Sequence, residues 1–197
     1  EKIYGGRRSM PMPSVRGLEA ADFAGRYPGQ EGFDAYYRDV LARRAVRIEE
    51  VRGSFPEIRG YEWASVLFRQ GRGSPAGLFI YHQGHDGSPF EFRSANTVIG
   101  TMLERGYDVA VFSMPGIGWN RIGHVRIKTW DGWGYLSSAR DTEHDLFSMI
   151  DTGKGHFIRF FVEPVIATID LAESDRRYDR TIMAGHSGGG WTATVAA

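Results

Sequence analysis

The chain has 197 residues, 42% of them hydrophobic and 13% aromatic, which is enough to bury a core in one domain or most of one. Lysine plus arginine and aspartate plus glutamate number 24 each, so no global field draws nucleic acid or an anionic membrane, and the expected partner is a small molecule or another protein. The absence of cysteine excludes disulfides, thiolate metal sites and a cysteine nucleophile, and leaves the compartment undecided.

The first third is rich in arginine, glycine and proline. Its stretches "RRSMPMPSVRG" and "GRYPGQEG" are too punctuated for regular structure and read as a surface arm. In "GFDAYYRDVLARRAV", Phe33, Tyr36, Tyr37, Val40 and Leu41 recur at helical spacing, and Arg38, Arg43 and Arg44 form the solvated face. Residues 1–60 are therefore expected to be an arm and a helix packed on a domain formed by 61–197. From Tyr61 the texture changes. "EWASVLFRQ" has the alternation of a strand, "GRGSP" turns, and "AGLFIYH" is a short apolar run suited to a buried parallel strand. After the loop "QGHDG", "SANTVIGTMLERG" predicts a helix with Ser94 as cap and Gly106 as stop.

"YDVAVFSM" predicts a second buried strand, closed by "PGIGWN" and followed by the aromatic excursion "RIGHVRIKTWDGWGYLSS". Two helical segments come next, "ARDTEHDLFSMID" and Phe157 to Ala172, the latter with Pro164 as a kink or a start. Arg159, Glu163 and Pro164 interrupt that apolar run, so no membrane span is expected. "YDRTIMAGHS" then predicts a third strand. Strands and helices in this alternation predict an α/β fold with a mostly parallel sheet and flanking helices.

The chemistry concentrates in "GHSGG". Gly185, Ser187 and Gly189 satisfy G-x-S-x-G, with a strand before and a helix-compatible "GWTATVAA" after. A serine on a tight strand-to-helix turn needs small neighbours two residues to either side, which Gly185 and Gly189 supply. The N–H of Gly188, at the positive end of the following helix, is placed to meet an oxyanion. A second donor is expected from the loop after an earlier strand: His85 N–H, with Gly84 as the fallback.

"YHQGHDG", "SMPGIGWN" and "GHSGGGW", in this order, resemble the oxyanion loop, the turn after the next strand and the nucleophile elbow of the α/β-hydrolase family, over roughly residues 61–197. The resemblance implies a serine esterase, lipase or amidase acting on a small-molecule ester or acyl substrate through an acyl-serine, without a cofactor. The family's histidine-glycine pair in the oxyanion loop is Gln83-Gly84 here. In that family the triad acid and histidine follow the nucleophile, whereas after Ser187 this sequence holds no aspartate, glutamate or histidine. The expectation is the front part of such a hydrolase, ending within the helix after its nucleophile; the initial Glu1 in place of methionine points the same way. Missing strands would leave a sheet edge open to self-association.

Three other readings bear on the same residues. His82, His85, His124, His144 or His156 is an upstream candidate for base, His124 from a lid containing Trp119, Trp130 and Trp133; His186, Asp86 and Asp131 read as packing or turn residues. A non-catalytic binding module that keeps the turn as a relic is the alternative to an enzyme. A phosphate loop, G-x-x-x-x-G-K-[ST], is met by Gly185, Gly190 and Thr192 but carries Trp191 where the lysine must neutralise phosphate charge. Glu143, His144 and Asp145 are consecutive, so they do not converge on one ion, and no metal is expected.

Overall fold

The computed structural model describes residues 10–137, 144–153 and 155–196. Nine strands are described: β1 (Ser14–Leu18), β2 (Arg47–Ser54), β3 (Ile58–Arg59), β4 (Glu62–Arg69), β5 (Leu78–His82), β6 (Asp108–Phe112), β7 (His124–Thr129), β8 (Gly132–Ser137) and β9 (Thr181–Gly185). The helices are α1 (Ala20–Arg26), α2 (Gln30–Tyr36), α3 (Arg38–Arg44), α4 (Arg93–Glu104), α5 (Arg159–Glu173) and α6 (Gly188–Ala196).

The main sheet runs β1-β2-β4-β6-β5-β9. Its core strands β6, β5 and β9 are parallel to one another, and β1, β2 and β4 extend the sheet with antiparallel pairs. Strict alternation makes both faces apolar. Trp63, Leu67, Leu78, Ile80, Ala110 and Phe112 point to one core. Val66, Phe68, Phe79, Tyr81, Val109 and Val111 point to the other. Helices must then cover both sides, the arrangement of an α/β fold.

On one face α5 packs down, and Thr168 Oγ1 lies 3.1 Å from Ser65 Oγ, both fully buried. On the other, Phe23 of α1 anchors an aromatic cluster, meeting Tyr37, Phe68 and Phe90 edge-on at 5.7, 5.3 and 5.3 Å between ring centroids. The strands β3, β7 and β8 form a second, smaller sheet.

Several local expectations change. The arginine-, glycine- and proline-rich stretches hold most of β1 and the start of α2, with α1 largely between them, and β2 pairs with β1, so residues before Tyr61 are built into the main sheet. The single helix expected near Phe33 is two, breaking at Tyr37. Helix α4 begins at Arg93, so Ser94 lies inside it. The chain enters from a 3-10 turn at Pro89–Glu91, where the Glu91 carboxylate accepts the Ser88 N–H at 3.0 Å. Gly106, with φ of 84°, ends α4 as expected. Pro164 falls inside α5 rather than at its start. The aromatic excursion is the β7–β8 hairpin, docked on the core through Val125 and Ile127. Of "ARDTEHDLFSMID", Ala139 to Glu143 lie outside the described residues, and His144–Met149 form a 3-10 turn.

Candidate active site

β5 and β9 pair in parallel from Leu78↔Thr181 to His82↔Gly185, so the two strands end level and the loops leaving them emerge side by side. The His186 N–H extends this pairing by donating to the His82 carbonyl at 3.0 Å. Helix α6 begins at Gly188, leaving two residues to turn the chain. Ser187 takes the turn with φ of 53°, in the left-handed region; among the described residues Ala45, at the end of α3, is the only other non-glycine there. Such a conformation costs an L-residue about 1–2 kcal/mol, so the surroundings must hold it in place.

The surroundings do so by contact. A Cβ on Gly189 would stand 2.0 Å from the His82 carbonyl oxygen, and one on Gly185 would stand 2.2 Å from the Gly189 oxygen. No side chain is compatible with either approach, which is why small residues sit two positions to each side of Ser187. Gly84 closes the arrangement from the neighbouring loop: its Cβ would lie 2.7 Å from Ser187 Cβ and 3.0 Å from the Gly188 nitrogen. The expected elbow glycines and the expected oxyanion loop thus meet at one point. This end of the parallel strands, where the chain reverses its order across the sheet, is where open α/β sheets hold their ligands.

Hydrogen bonding leaves a donor at that point. The N–H groups of Gly189, Gly190 and Trp191 turn back to the carbonyls of His186 and Ser187 at 2.9, 2.9 and 3.3 Å. No backbone carbonyl among the described residues accepts the Gly188 N–H, which heads α6 at the positive end of its dipole. The His85 ring and the Met114 sulfur stand over Gly188: a Cβ there would meet them at 2.9 and 2.8 Å. Met114 was not singled out in the sequence; its position in "SMPGIG", directly after β6, was the available signal. That turn is fastened by Asn120, whose side chain accepts the Ala64 N–H at 2.7 Å and donates to the carbonyls of Ala64 and Ser113 at 3.1 and 2.9 Å.

The histidines separate by environment. His82 is fully buried, with Nδ1 2.9 Å from the Gln83 carbonyl and its ring stacked on Phe112. Burial pushes its pKa down to about 4, so it is neutral at pH 7 and a weak base. His156 precedes α5, accepting the Ile158 N–H at 3.2 Å. His124 opens β7 in the smaller sheet. The side chain of His144 lies outside the described residues. His85 and His186 stand at the turn. His186 is exposed rather than packed, and its Nδ1 lies 4.0 Å from Asp86. Asp131 is the turn residue it was read as, accepting from Thr129 within the hairpin.

Two other expectations resolve in the same way. Trp119 is a structural residue, donating from Nε1 to the Ala64 carbonyl at 2.8 Å and packing on Tyr27 and Phe90. Thr192, which a phosphate loop would aim at a metal ion, is fully buried and donates to the Gly188 carbonyl at 3.2 Å.

No protein-family model and no curated protein sequence matches the chain. Solved structures do. The acetyl xylan esterase from Paenibacillus sp. R4 superposes with a TM-score of 0.54 at 16% identity, over 95% of this chain and 50% of its own. Acetyl Xylan Esterase 1 from Thermoanaerobacterium sp. JW/SL YS485 gives 0.52 at 12% identity, over 86% and 54%. The chain spans about half the length of these structures. At such identities the likeness is one of fold: a mixed α/β architecture with a parallel core sheet and flanking helices, which the chain shares with these acetyl xylan esterases.

Proposed function

We propose that this chain carries the nucleophile and oxyanion-binding part of a serine esterase acting on acylated carbohydrate. The observation that carries the reading is Ser187 at φ of 53° on the β9–α6 turn, pressed against Gly84 of the loop leaving β5. Ser187 attacks the ester carbonyl, its proton passes to a histidine, and the alcohol leaves with an acyl-serine behind; water then releases the acid. The N–H groups of Gly188 and His85, with Gly84 in reserve, receive the negative charge that develops on the carbonyl oxygen. The names of the acetyl xylan esterases with this fold support an acetylated glycan as substrate. The proton acceptor is not His82, whose burial makes it a weak base; His85 and His186 are the described histidines beside Ser187.

The test is acetate release from acetylated xylan by the full-length protein. Ser187→Ala is expected to lower turnover about a thousandfold or more while leaving the fold intact. Turnover retained in that variant removes the nucleophile assignment.

A further inference from the structure

The outer face of the β3–β7–β8 sheet carries chemistry that the ester-cleaving site does not use. Pairing sets Arg59 opposite Arg126, Arg126 opposite Tyr135 and Lys128 opposite Trp133, so all five side chains leave one side of the sheet. The opposite side, Ile58, Val125 and Ile127, is buried in the core. On the outer side the residues interleave. Arg59 Cζ lies 4.1 Å from the Trp133 ring centre, and Arg126 Cζ lies 5.7 Å from Trp133 and 5.1 Å from Tyr135. Beyond this ladder, Tyr135 is 81% exposed and Trp130, at the hairpin tip, is 88% exposed.

Both the charge and the aromatic surface are left over. Lys128 pairs with Asp151 at 3.4 Å, but no carboxylate among the described residues pairs with Arg59 or Arg126. The Nε of Arg126 is buried without a hydrogen-bond partner. A guanidinium held over a ring keeps its N–H donors in its own plane, fanned outward in the fork that matches a carboxylate. Cation–π contact therefore orders these arginines without neutralising them. The complementary ligand is anionic, with flat apolar surface between its charges.

We propose that this face binds an acidic glycan, a polysaccharide bearing uronate carboxylates, with sugar rings against Tyr135 and Trp130 and carboxylates on Arg59 and Arg126. The choice of a glycan rests on the esterase reading; the arginines by themselves require an anion. A site of this kind holds the polymer while Ser187 acts on its ester groups.

Binding is measured on the full-length protein by affinity electrophoresis and calorimetry, with polygalacturonate, neutral xylan and polyglutamate as probes. Polygalacturonate is expected to bind, with both neutral xylan and polyglutamate weaker by about tenfold or more; Arg126→Gln and Tyr135→Ala each weaken polygalacturonate by about tenfold. Tyr135 is largely exposed, and its variant is expected to unfold at the wild-type temperature. Ser187→Ala is expected to bind polygalacturonate as the wild type does, which separates this proposal from the assignment of the nucleophile. Failure of polygalacturonate to bind, or binding unchanged in both face variants, overturns the proposal. Equal affinity for polyglutamate reduces the face to a general anion site and overturns the glycan; equal affinity for neutral xylan overturns the role of the arginines.

Discussion

Ser187 and its glycines make opposite demands on the backbone, and substitutions separate them. Ser187→Gly releases the left-handed strain and is expected to raise stability by about 1 kcal/mol while abolishing activity. Gly189→Ala drives a methyl group into the His82 carbonyl and is expected to cost about 3 kcal/mol. Urea unfolding of the two variants checks both signs. His82 gives a pH signature. Its folded pKa of about 4 lies below the ordinary 6.5, so between these values the unfolded chain binds the proton and the folded chain does not. The contribution of neutral His82 is full above 6.5 and is lost as pH falls toward 4, by about 3 kcal/mol in all. Unfolding free energies measured across that range should slope by nearly one proton more in wild type than in His82→Gln.

At the scale of elements, the turn after β6 is held to β4 by Asn120, whose three bonds satisfy buried backbone groups. Asn120→Ala removes the side-chain partner of the Ala64 N–H and the Ser113 carbonyl, while the Ala64 carbonyl keeps its bond from Trp119, and is expected to cost about 3 kcal/mol, lowering activity as well, because Met114 on the same turn stands over Gly188. Thermal unfolding and acetate release check the two effects. Elements whose signal is local were legible in the sequence. β5, β6 and β9 are continuous apolar runs, α4 has a clean helical period, and the glycine spacing around Ser187 marks a turn with one stereochemical solution. The elements that were missed take their stability from elsewhere. β2 sets Ile48 and Val51 among charges, and Arg52 of the same strand meets Glu50 only in part: Glu49 is satisfied by Arg69, and Glu50 also by Arg16 and Arg26, all from other elements. β1 is a strand because β2 lies beside it. The hairpin did announce itself through Asp131-Gly132, but tryptophans on an exposed face disguised its two-residue period. In the site, the level ending of β5 and β9 is a matter of register, which sequence does not encode locally; it sets Gly84 against Ser187 and His186 near Asp86.

For the whole molecule, the parallel strands β6, β5 and β9 place the Ser187 turn at their carboxyl end, and β9 is the outermost strand of its sheet among the described residues. Ile182 on β9 is 38% exposed, and on the opposite face of the strand a groove of about 500 Å³ lies between Ile80, Ile169, Met183 and Ala193. An open strand edge is a template for another strand. The 197-residue chain is therefore expected to associate reversibly, with a sedimentation-average mass that rises with concentration, and Ile182→Lys is expected to suppress the rise. A mass independent of concentration contradicts this.

The placement of Ser187 as nucleophile underlies the functional account, and a serine-reactive phosphonate examines it directly. Intact-mass measurement of the treated full-length protein should show a single adduct, mapped to the peptide containing Ser187 and lost in Ser187→Ala. A folded protein that takes no adduct, or one whose adduct persists in the variant, contradicts the assignment.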